Sequence, residues 1–216
     1  EMTKRLLILV ILFFVAGPAF AGMAADTAWV RSYSGPGSSN SNTAHSLAVE
    51  GSGNVYVTGT SDSDGVSAIA TIKYQVNGDT AWVRRYLGTG DYFGGGGSVI
   101  ADDSGYVYVS GFTFNSFTLY DYVVIKYFPS GDTAWVRRYN GPGNNYDLVS
   151  GMVVDGSGNV YVTGSSDGGW PIYTDYATVK YYPNGDTAWV RRYNGPASST
   201  DAATAIAVDS SGNVYV

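Results

Sequence analysis

The chain has no cysteine and a single histidine among its 216 residues. Disulfides and thiolate metal sites are therefore excluded, and one histidine cannot supply a catalytic triad or a multi-histidine metal site. Charged residues make up only 14%, and no long segment has helical spacing of apolar residues. The 29 glycines and 19 tyrosines instead favour short strands joined by tight turns, so we expect an all-β protein without a cofactor.

The N-terminus has the pattern of a secretory signal peptide. Lys4 and Arg5 precede an apolar run at 6–16, Pro18 ends it, and the small residues Ala19 and Ala21 flank Phe20. A membrane anchor is the alternative, but the run has roughly half of the ~20 residues that a spanning helix needs. We therefore predict cleavage after residue 21 and export to the periplasm, the cell surface or the medium, with no membrane span afterwards.

Two motifs recur together along the chain. Asp-Thr-Ala-Trp-Val-Arg returns at intervals of 53, 53 and 54 residues, and Gly-Asn-Val-Tyr-Val, with one variant, returns at 52, 53 and 54. Two markers that move in step indicate a structural repeat of about 53 residues. The residues that mark it are Trp29, Trp82, Trp135 and Trp189 in the first motif and Gly53, Gly105, Gly158 and Gly212 in the second.

Each repeat contains four strand-like runs, best seen at 152–154 (A), 159–163 (B), 176–181 (C) and 187–193 (D). Asp-Gly-Ser-Gly separates A from B, and Pro-Asn-Gly-Asp separates C from D, so both connections are tight hairpin turns. Hairpins require antiparallel neighbours, which argues against the parallel β-helix. Four short antiparallel strands per repeat match one blade of a β-propeller.

The repeats divide the mature chain, 22–216, into a lone strand D at 26–33, three whole blades within about 45–193 and a half blade at 203–216. We expect an open arc in which the lone strand has no strand C partner and the half blade is a bare hairpin. Further blades are expected from a C-terminal part beyond this sequence.

The segments Asp-Gly-Ser-Gly-Asn-Val-Tyr-Val-Thr-Gly and Asp-Tyr-Ala-Thr-Val-Lys-Tyr, at 155–164 and 175–181, resemble the bacterial "seven-bladed β-propeller" (SBBP) repeat. The resemblance covers about 26–216 and implies a propeller in an exported bacterial protein. It implies no reaction, because the family is defined by its architecture. The second copy departs most, at Tyr106 and at 114–120, so we expect its loop to make contacts of its own.

Other features favour structural roles. His45 precedes strand A of the first unit and is predicted to be a surface loop residue, and Gly94 to Gly97 are predicted to be a flexible connection. The recurring lysines of strand C and arginines of strand D are expected to cover apolar surface and to contact aromatic rings between blades. An arginine cluster for sialic acid is the lesser alternative.

The charge balance argues against nucleic acid as a partner. The chain has a formal net charge of −6, which repels phosphate. The recurring aspartate of Asp-Gly-Ser-Gly is expected to cap its turn rather than to bind Ca²⁺, because the spacing of a calcium loop is missing.

The loops from B to C and from D to A differ in every copy and should lie on one face of the propeller. We predict that this face binds a glycan or a protein, because aromatic planes stack on sugars and carboxylates accept hydrogen bonds from hydroxyls. The alternative function is a polysaccharide hydrolase or lyase with carboxylates at the ring centre. The predicted binding residues are Asp91, Tyr92, Tyr120, Asp121, Tyr146, Asp147 and Trp170, with no catalytic or metal residue assigned.

Overall fold

The computed structural model describes residues 27–36, 41–169, 174–196 and 199–216, and the backbone of 6–9. All regular structure in these residues is β, and pairing within each unit is antiparallel, which confirms the predicted fold class. No helix in the described part of the chain is both long enough and apolar enough to cross a membrane. The strands are β1 (Leu6–Leu9), β2 (Val30–Tyr33), β3 (Asn42–Val49), β4 (Val55–Ser63), β5 (Val66–Tyr74), β6 (Thr80–Tyr86), β7 (Phe93–Ala101), β8 (Val107–Asn115), β9 (Leu119–Tyr127), β10 (Thr133–Tyr139), β11 (Asp147–Val154), β12 (Val160–Asp167), β13 (Thr174–Tyr181), β14 (Thr187–Tyr193), β15 (Ala207–Val208) and β16 (Val214–Tyr215).

The chain folds into three units of four consecutive strands, A to D, followed by a hairpin formed by β15 and β16. Unit 1 is β3–β6, unit 2 is β7–β10 and unit 3 is β11–β14. The strands of each unit pair in chain order. The two strands of the hairpin pair only with each other in the described part of the chain.

Strand A begins earlier than predicted in every unit. Its pairing with strand B shifts at the same point each time, between Ala44 and Ser46, between Gly96 and Ser98, and between Val149 and Gly151. The extra residue of this β-bulge lets the strand continue toward the loop face. Two predictions are therefore wrong: His45 lies within β3 rather than in a loop, and Gly94 to Gly97 belong to β7 rather than to a flexible connection.

Neighbouring units touch through their A strands and through single parallel residue pairs. Ser67 pairs with Phe93, which joins units 1 and 2 into one hydrogen-bonded sheet of eight strands. Tyr120 pairs with Tyr146 at the equivalent point between units 2 and 3. Units 1 and 2 are therefore not separate sheets, but the parallel contact is too short to make the units coils of a solenoid.

The hydrophobic core lies between units. One cluster combines Tyr56 and Trp82 of unit 1 with Val107 and Tyr127 of unit 2, and a second combines Tyr108 and Trp135 with strands of unit 3. Because each sheet is covered on both faces, consecutive residues are buried, as Val55, Tyr56 and Val57 show. The strand B tyrosines, Tyr56, Tyr108 and Tyr161, direct their hydroxyls to a carboxylate in the turn between strands A and B, as in the bond from Tyr161 to Asp155 at 2.9 Å.

The Asp-Gly-Ser-Gly aspartate caps its turn, as predicted. Asp155 Oδ1 accepts hydrogen bonds from the backbone N–H groups of Ser157 and Asn159, each at 2.9 Å. Burial opposes ionisation here, but hydrogen bonds led by those from Asn159 hold the pKa of Asp155 below its ordinary value. Asp102 and Asp209 make the same backbone bonds in their units.

The strand D tryptophan clasps the next unit along the chain. Trp135 donates its indole N–H to the Pro183 carbonyl at 3.0 Å, and its ring lies against Gly185, where an added Cβ would come within 2.8 Å of it. Gly185 has φ +88°, which only glycine adopts without strain. Trp29 makes the same contacts with the Val76 carbonyl and Gly78. Trp82 makes them with the Pro129 carbonyl and Gly131.

The first arginine of strand D reinforces this clasp. Arg137 lies over its own tryptophan at 5.9 Å and donates to the carbonyl of Gly185 in the next unit at 2.5 Å. Arg84 repeats both contacts at 5.7 Å and 2.7 Å. These arginines therefore contact aromatic rings and connect blades, as the sequence predicts.

Strand β2 packs on unit 1 in the same way that strand D of each unit packs on the next unit. Trp29 clasps the turn of unit 1, and Arg31 reaches Asp79 at 3.4 Å. In the described chain β1 pairs with β2 antiparallel. The expectation that this strand has no strand C partner concerns the mature chain, 22–216, which excludes β1, and it stays a prediction.

Candidate functional site

The six predicted binding residues that the structure describes lie around the joint between units 2 and 3, on the face formed by the B–C and D–A loops. We call this face the loop face, and the opposite face, formed by the A–B and C–D turns, the turn face. Tyr92 and Tyr146 are 61% and 50% exposed, whereas Asp91, Asp121 and Asp147 are buried. Trp170 lies outside the described residues.

Aromatic rings form a continuous row across this joint, which we call the aromatic ladder: Phe93, Phe112, Phe114, Tyr120 and Tyr146. Ring centroids lie 5.7 Å apart from Phe93 to Phe112 and 5.5 Å apart from Phe112 to Tyr120. Phe114 lies 5.0 Å from Tyr120. Tyr120 then stacks on Tyr146 of the next unit at 5.4 Å and 21°. The outer rings of the ladder, Phe93 and Tyr146, are the exposed ones, and the others are half-buried.

Strand register explains why these rings meet. Phe93 on strand A faces Phe114 on strand B, and Phe114 faces Tyr120 on strand C, so the three side chains share one face of the sheet. The Tyr120–Tyr146 bridge and the bond from the Tyr120 N–H to the Asn145 carbonyl at 3.2 Å carry the row into unit 3. The loop before Tyr120 is tight, because Asn115 Oδ1 accepts the N–H groups of Phe117 and Thr118, at 2.8 and 3.0 Å.

Arg138 holds two of the predicted carboxylates. It donates to both oxygens of Asp91, at 2.8 and 3.0 Å, and to Asp121 Oδ2 at 2.8 Å. Thr118 adds a hydrogen bond to Asp121 at 2.9 Å. This network ties the D–A loop, the B–C loop and strand C together next to the ladder, so the two aspartates fix the shape of the loop face rather than line its surface.

Asp147 is fully buried and secures a different loop. Its Oδ2 accepts the N–H of Gly141 at 2.7 Å, and Asp201 holds Gly195 in the same way at 2.6 Å. Burial raises the pKa of Asp147, and the neighbouring Asp121 carboxylate raises it further. Burial also raises the pKa of Asp121, against the opposing hydrogen bonds from Thr118 and Arg138. Protonation is therefore easier for each of these carboxyls than for an exposed aspartate.

Sequence reasoning identified Tyr120 and Tyr146 but missed Phe93, Phe112 and Phe114. The available signal was the departure of the second copy at 114–120, where aromatic residues replace a polar loop. The register that brings Phe93 beside Phe114 depends on the bulge in strand A, and no motif in the sequence marks that bulge.

A cavity of about 430 Å³ opens on the turn face between units 1 and 2. Asn54, Lys73 and Trp82 are among its lining residues. At the next joint, Tyr106 and Phe128 stand in the positions of Asn54 and Gln75 and contact each other at 5.9 Å. The cavity therefore exists because unit 1 has smaller polar residues where unit 2 has aromatic rings.

No cluster of three or more metal-ligating side chains occurs among the residues that the structure describes. We assign no residue of this part of the chain to a cofactor.

Comparison with known proteins identifies the repeat. The family model described as "SBBP: Beta-propeller repeat" matches residues 134–169, which confirms the predicted resemblance over that segment. No similar sequence was found among curated proteins.

Solved structures with a similar fold include carbohydrate-active enzymes. The polysaccharide lyase Uly1 aligns with a TM-score of 0.50 and 15% identity, over 81% of this chain and 43% of the lyase. A GH43_1 enzyme from Xanthomonas citri complexed with xylose aligns with a TM-score of 0.44 and 12% identity, over 81% of this chain and 58% of the enzyme. The chain thus spans about half the length of these proteins, and at these identities the likeness to the lyase supports the propeller fold alone.

Proposed function

We propose that this chain, which carries a β-propeller repeat within a propeller-type fold, is a binding module that holds a glycan against the aromatic ladder of its loop face. The observation that carries the proposal is the unbroken row of ring contacts from Phe93 to Tyr146. Packing of the core does not require a row of aromatic rings at the loop surface. Sugar rings stack on exposed aromatic planes, and neighbouring polar groups orient the sugar hydroxyls.

The spacing of the rings suits an extended ligand. Successive centroids along the ladder lie 5.4 to 5.7 Å apart, so the platform is longer than a single sugar ring. Tyr92 and Phe117, 61% and 88% exposed on adjacent loops, enlarge the apolar surface around it. An oligosaccharide or polysaccharide chain therefore fits this surface better than a monosaccharide.

The test is a binding measurement on a double variant, Tyr120→Ala with Tyr146→Ala. Affinity electrophoresis against a panel of polysaccharides should show retardation of the native chain and loss of most of it in the variant. The control is Tyr182→Ala, which removes a tyrosine of similar exposure, 49%, from the turn face. Equal retardation of the native chain and the double variant would refute a ladder site.

A polysaccharide hydrolase or lyase is the second candidate function. It is favoured by the buried carboxyls Asp121 and Asp147, because burial raises the pKa of both and a raised pKa suits a general acid. Asp147 is fully buried, so catalysis would require the loop at 140–146 to move. Release of reducing ends or unsaturated products by the native chain but not by Asp147→Asn would support it, whereas binding without product release would support the binding module.

We also propose that the chain is exported and loses residues 1–21. N-terminal sequencing of the exported protein tests this, and recovery of the intact 6–16 segment in a membrane fraction would argue for an anchor instead. Cleavage would remove β1 and leave the edge of β2 free to pair with another strand.

A further inference from the structure

The two faces of the molecule differ strongly in charge. The loop face and the strand ends next to it carry eight aspartates and three arginines, whereas the turn face is close to balanced. The loop-face groups are Asp62, Asp64, Asp91, Asp121, Asp147, Asp167, Asp175, Asp201, Arg85, Arg138 and Arg192. The loop face, on which the aromatic ladder lies, therefore carries an excess of negative charge.

The three arginines of this face are already engaged. Arg138 bonds both Asp91 and Asp121, and Arg85 donates to the carbonyls of Ser61 and Val66, at 2.9 and 3.5 Å. Arg192 donates to Ser166 and to Asp175, the latter at 3.4 Å. Arg138 and Arg192 would have to give up a carboxylate or a carbonyl to bind an anion, and Arg85 is already held by two carbonyls through Nη2. The described part of the loop face has no lysine.

Carboxylates also stand at both ends of the ladder. At one end, Asp62 accepts the hydroxyl of Ser67 at 3.3 Å, and Ser67 is the strand partner of Phe93. At the other, the Asp167 N–H donates to the Tyr146 carbonyl at 3.1 Å. Asp62 and Asp167 are both partly exposed. A ligand that follows the ladder therefore meets a negative group at each end.

We propose that the aromatic ladder selects uncharged glycans and rejects polysaccharides that carry carboxylate or sulfate groups. This inference rests on the proposed glycan-binding function and names its ligand class. Ring stacking is indifferent to the charge of a distant substituent, so the discrimination comes from the fixed aspartates. They accept hydrogen bonds from sugar hydroxyls and repel anions.

Polymer pairs that share a backbone and differ in charge provide the test. Hydroxyethylcellulose is compared with carboxymethylcellulose, and highly methyl-esterified pectin with de-esterified pectin, by affinity electrophoresis of the whole chain. In each pair that binds, we expect the neutral member to bind at least about tenfold more tightly at low salt. Because salt screens charges beyond about 10 Å at 0.1 M, the difference should shrink as salt is added.

Two triple variants assign the selectivity to a face. One variant neutralises exposed or partly exposed loop-face charges by combining Asp62→Asn, Asp64→Asn and Asp167→Asn. It should reduce the difference in affinity between the neutral and the anionic polymer of each pair. The matched control neutralises three exposed turn-face aspartates by combining Asp79→Asn, Asp132→Asn and Asp186→Asn. It should leave the difference in affinity between the paired polymers unchanged. Both variants change the net charge by the same amount, so an effect of total charge would appear in both.

The outcomes separate this inference from the function on which it rests. Ladder-dependent binding that is equal or tighter for the anionic members would overturn the selectivity and leave the binding function standing. An equal reduction of the affinity difference by both triple variants would also overturn the selectivity. If no polymer binds, or if Tyr120→Ala with Tyr146→Ala leaves binding unchanged, the binding function fails and the inference fails with it.

Discussion

Replacing Trp135 with alanine should destabilise the protein far more than the same change at Trp189. Both tryptophans open strand D of their unit, but Trp135 is 8% exposed and clasps the next turn through Pro183 and Gly185. Trp189 is half-buried and contacts Tyr161 and Arg191, with no turn against it in the described part of the chain.

The magnitudes follow from what each truncation removes. Trp135→Ala empties a site in the core between units 2 and 3, and such changes cost about 3–5 kcal/mol. The Pro183 carbonyl keeps the Lys126 ammonium at 3.3 Å, so the lost indole bond should add little to that figure. Trp189→Ala removes a partly exposed ring, and we expect a cost of about 1–2 kcal/mol. Trp135→Phe keeps a ring and loses the indole N–H, so it should fall between the two.

Urea denaturation followed by circular dichroism provides the comparison. Repeat proteins can unfold in stages, so the midpoints are compared only where the slope of the transition is unchanged. Similar losses for Trp135→Ala and Trp189→Ala would refute the clasp as the main link between units.

Three further outcomes are expected. Gly131→Ala should cost roughly 1–3 kcal/mol more than Gly65→Ala in urea midpoints, because both glycines have positive φ but only Gly131 faces a tryptophan ring. Filling the turn-face cavity with Asn54→Tyr and Gln75→Phe should raise the thermal midpoint, since the next unit has these side chains; an unchanged or lower midpoint would mean that the cavity cannot accept the rings. Because burial raises the pKa of Asp147, the folded state binds a proton that the unfolded state releases, and stability should fall as pH rises from the ordinary value of 3.8 through the raised folded value. Asp147→Asn removes this loss, so its stability relative to the native chain should be higher at about pH 7 than at about pH 3, and the opposite trend would show that the carboxylate is stabilising.

The fold could be predicted because each unit repeats its local signals. Asp155 with its glycines, and Asn184 with Gly185, specify hairpins from short-range turn chemistry, and the recurrence of both turns sets the period. The beginning of strand A could not be predicted, because the bulge at His45, Gly97 and Ser150 has no shared residue type. A bulge is chosen by the pairing of two strands, and sequence alone does not show that pairing.

The candidate site was only partly predictable for a related reason. Loop variability directed attention to Tyr120 and Tyr146, which the structure places in the aromatic ladder. Asp91 and Asp121 were expected to face a ligand and instead bond Arg138. Whether these aspartates face the surface or bond within an internal network depends on Arg138, which is 17 residues from one and 47 from the other. Local composition carries no information about such a partner.

The clasp between units also bears on how a protein of this kind changes over evolutionary time. Its parts are a tryptophan and an arginine on one unit and a Gly-Asp turn on the next, and every complete copy of the repeat carries both halves. A duplicated or deleted copy therefore leaves each remaining joint with a compatible partner. The loops take no part in the clasp itself, so they are free to accumulate substitutions, and an aromatic surface such as that of unit 2 can arise without changing the clasp.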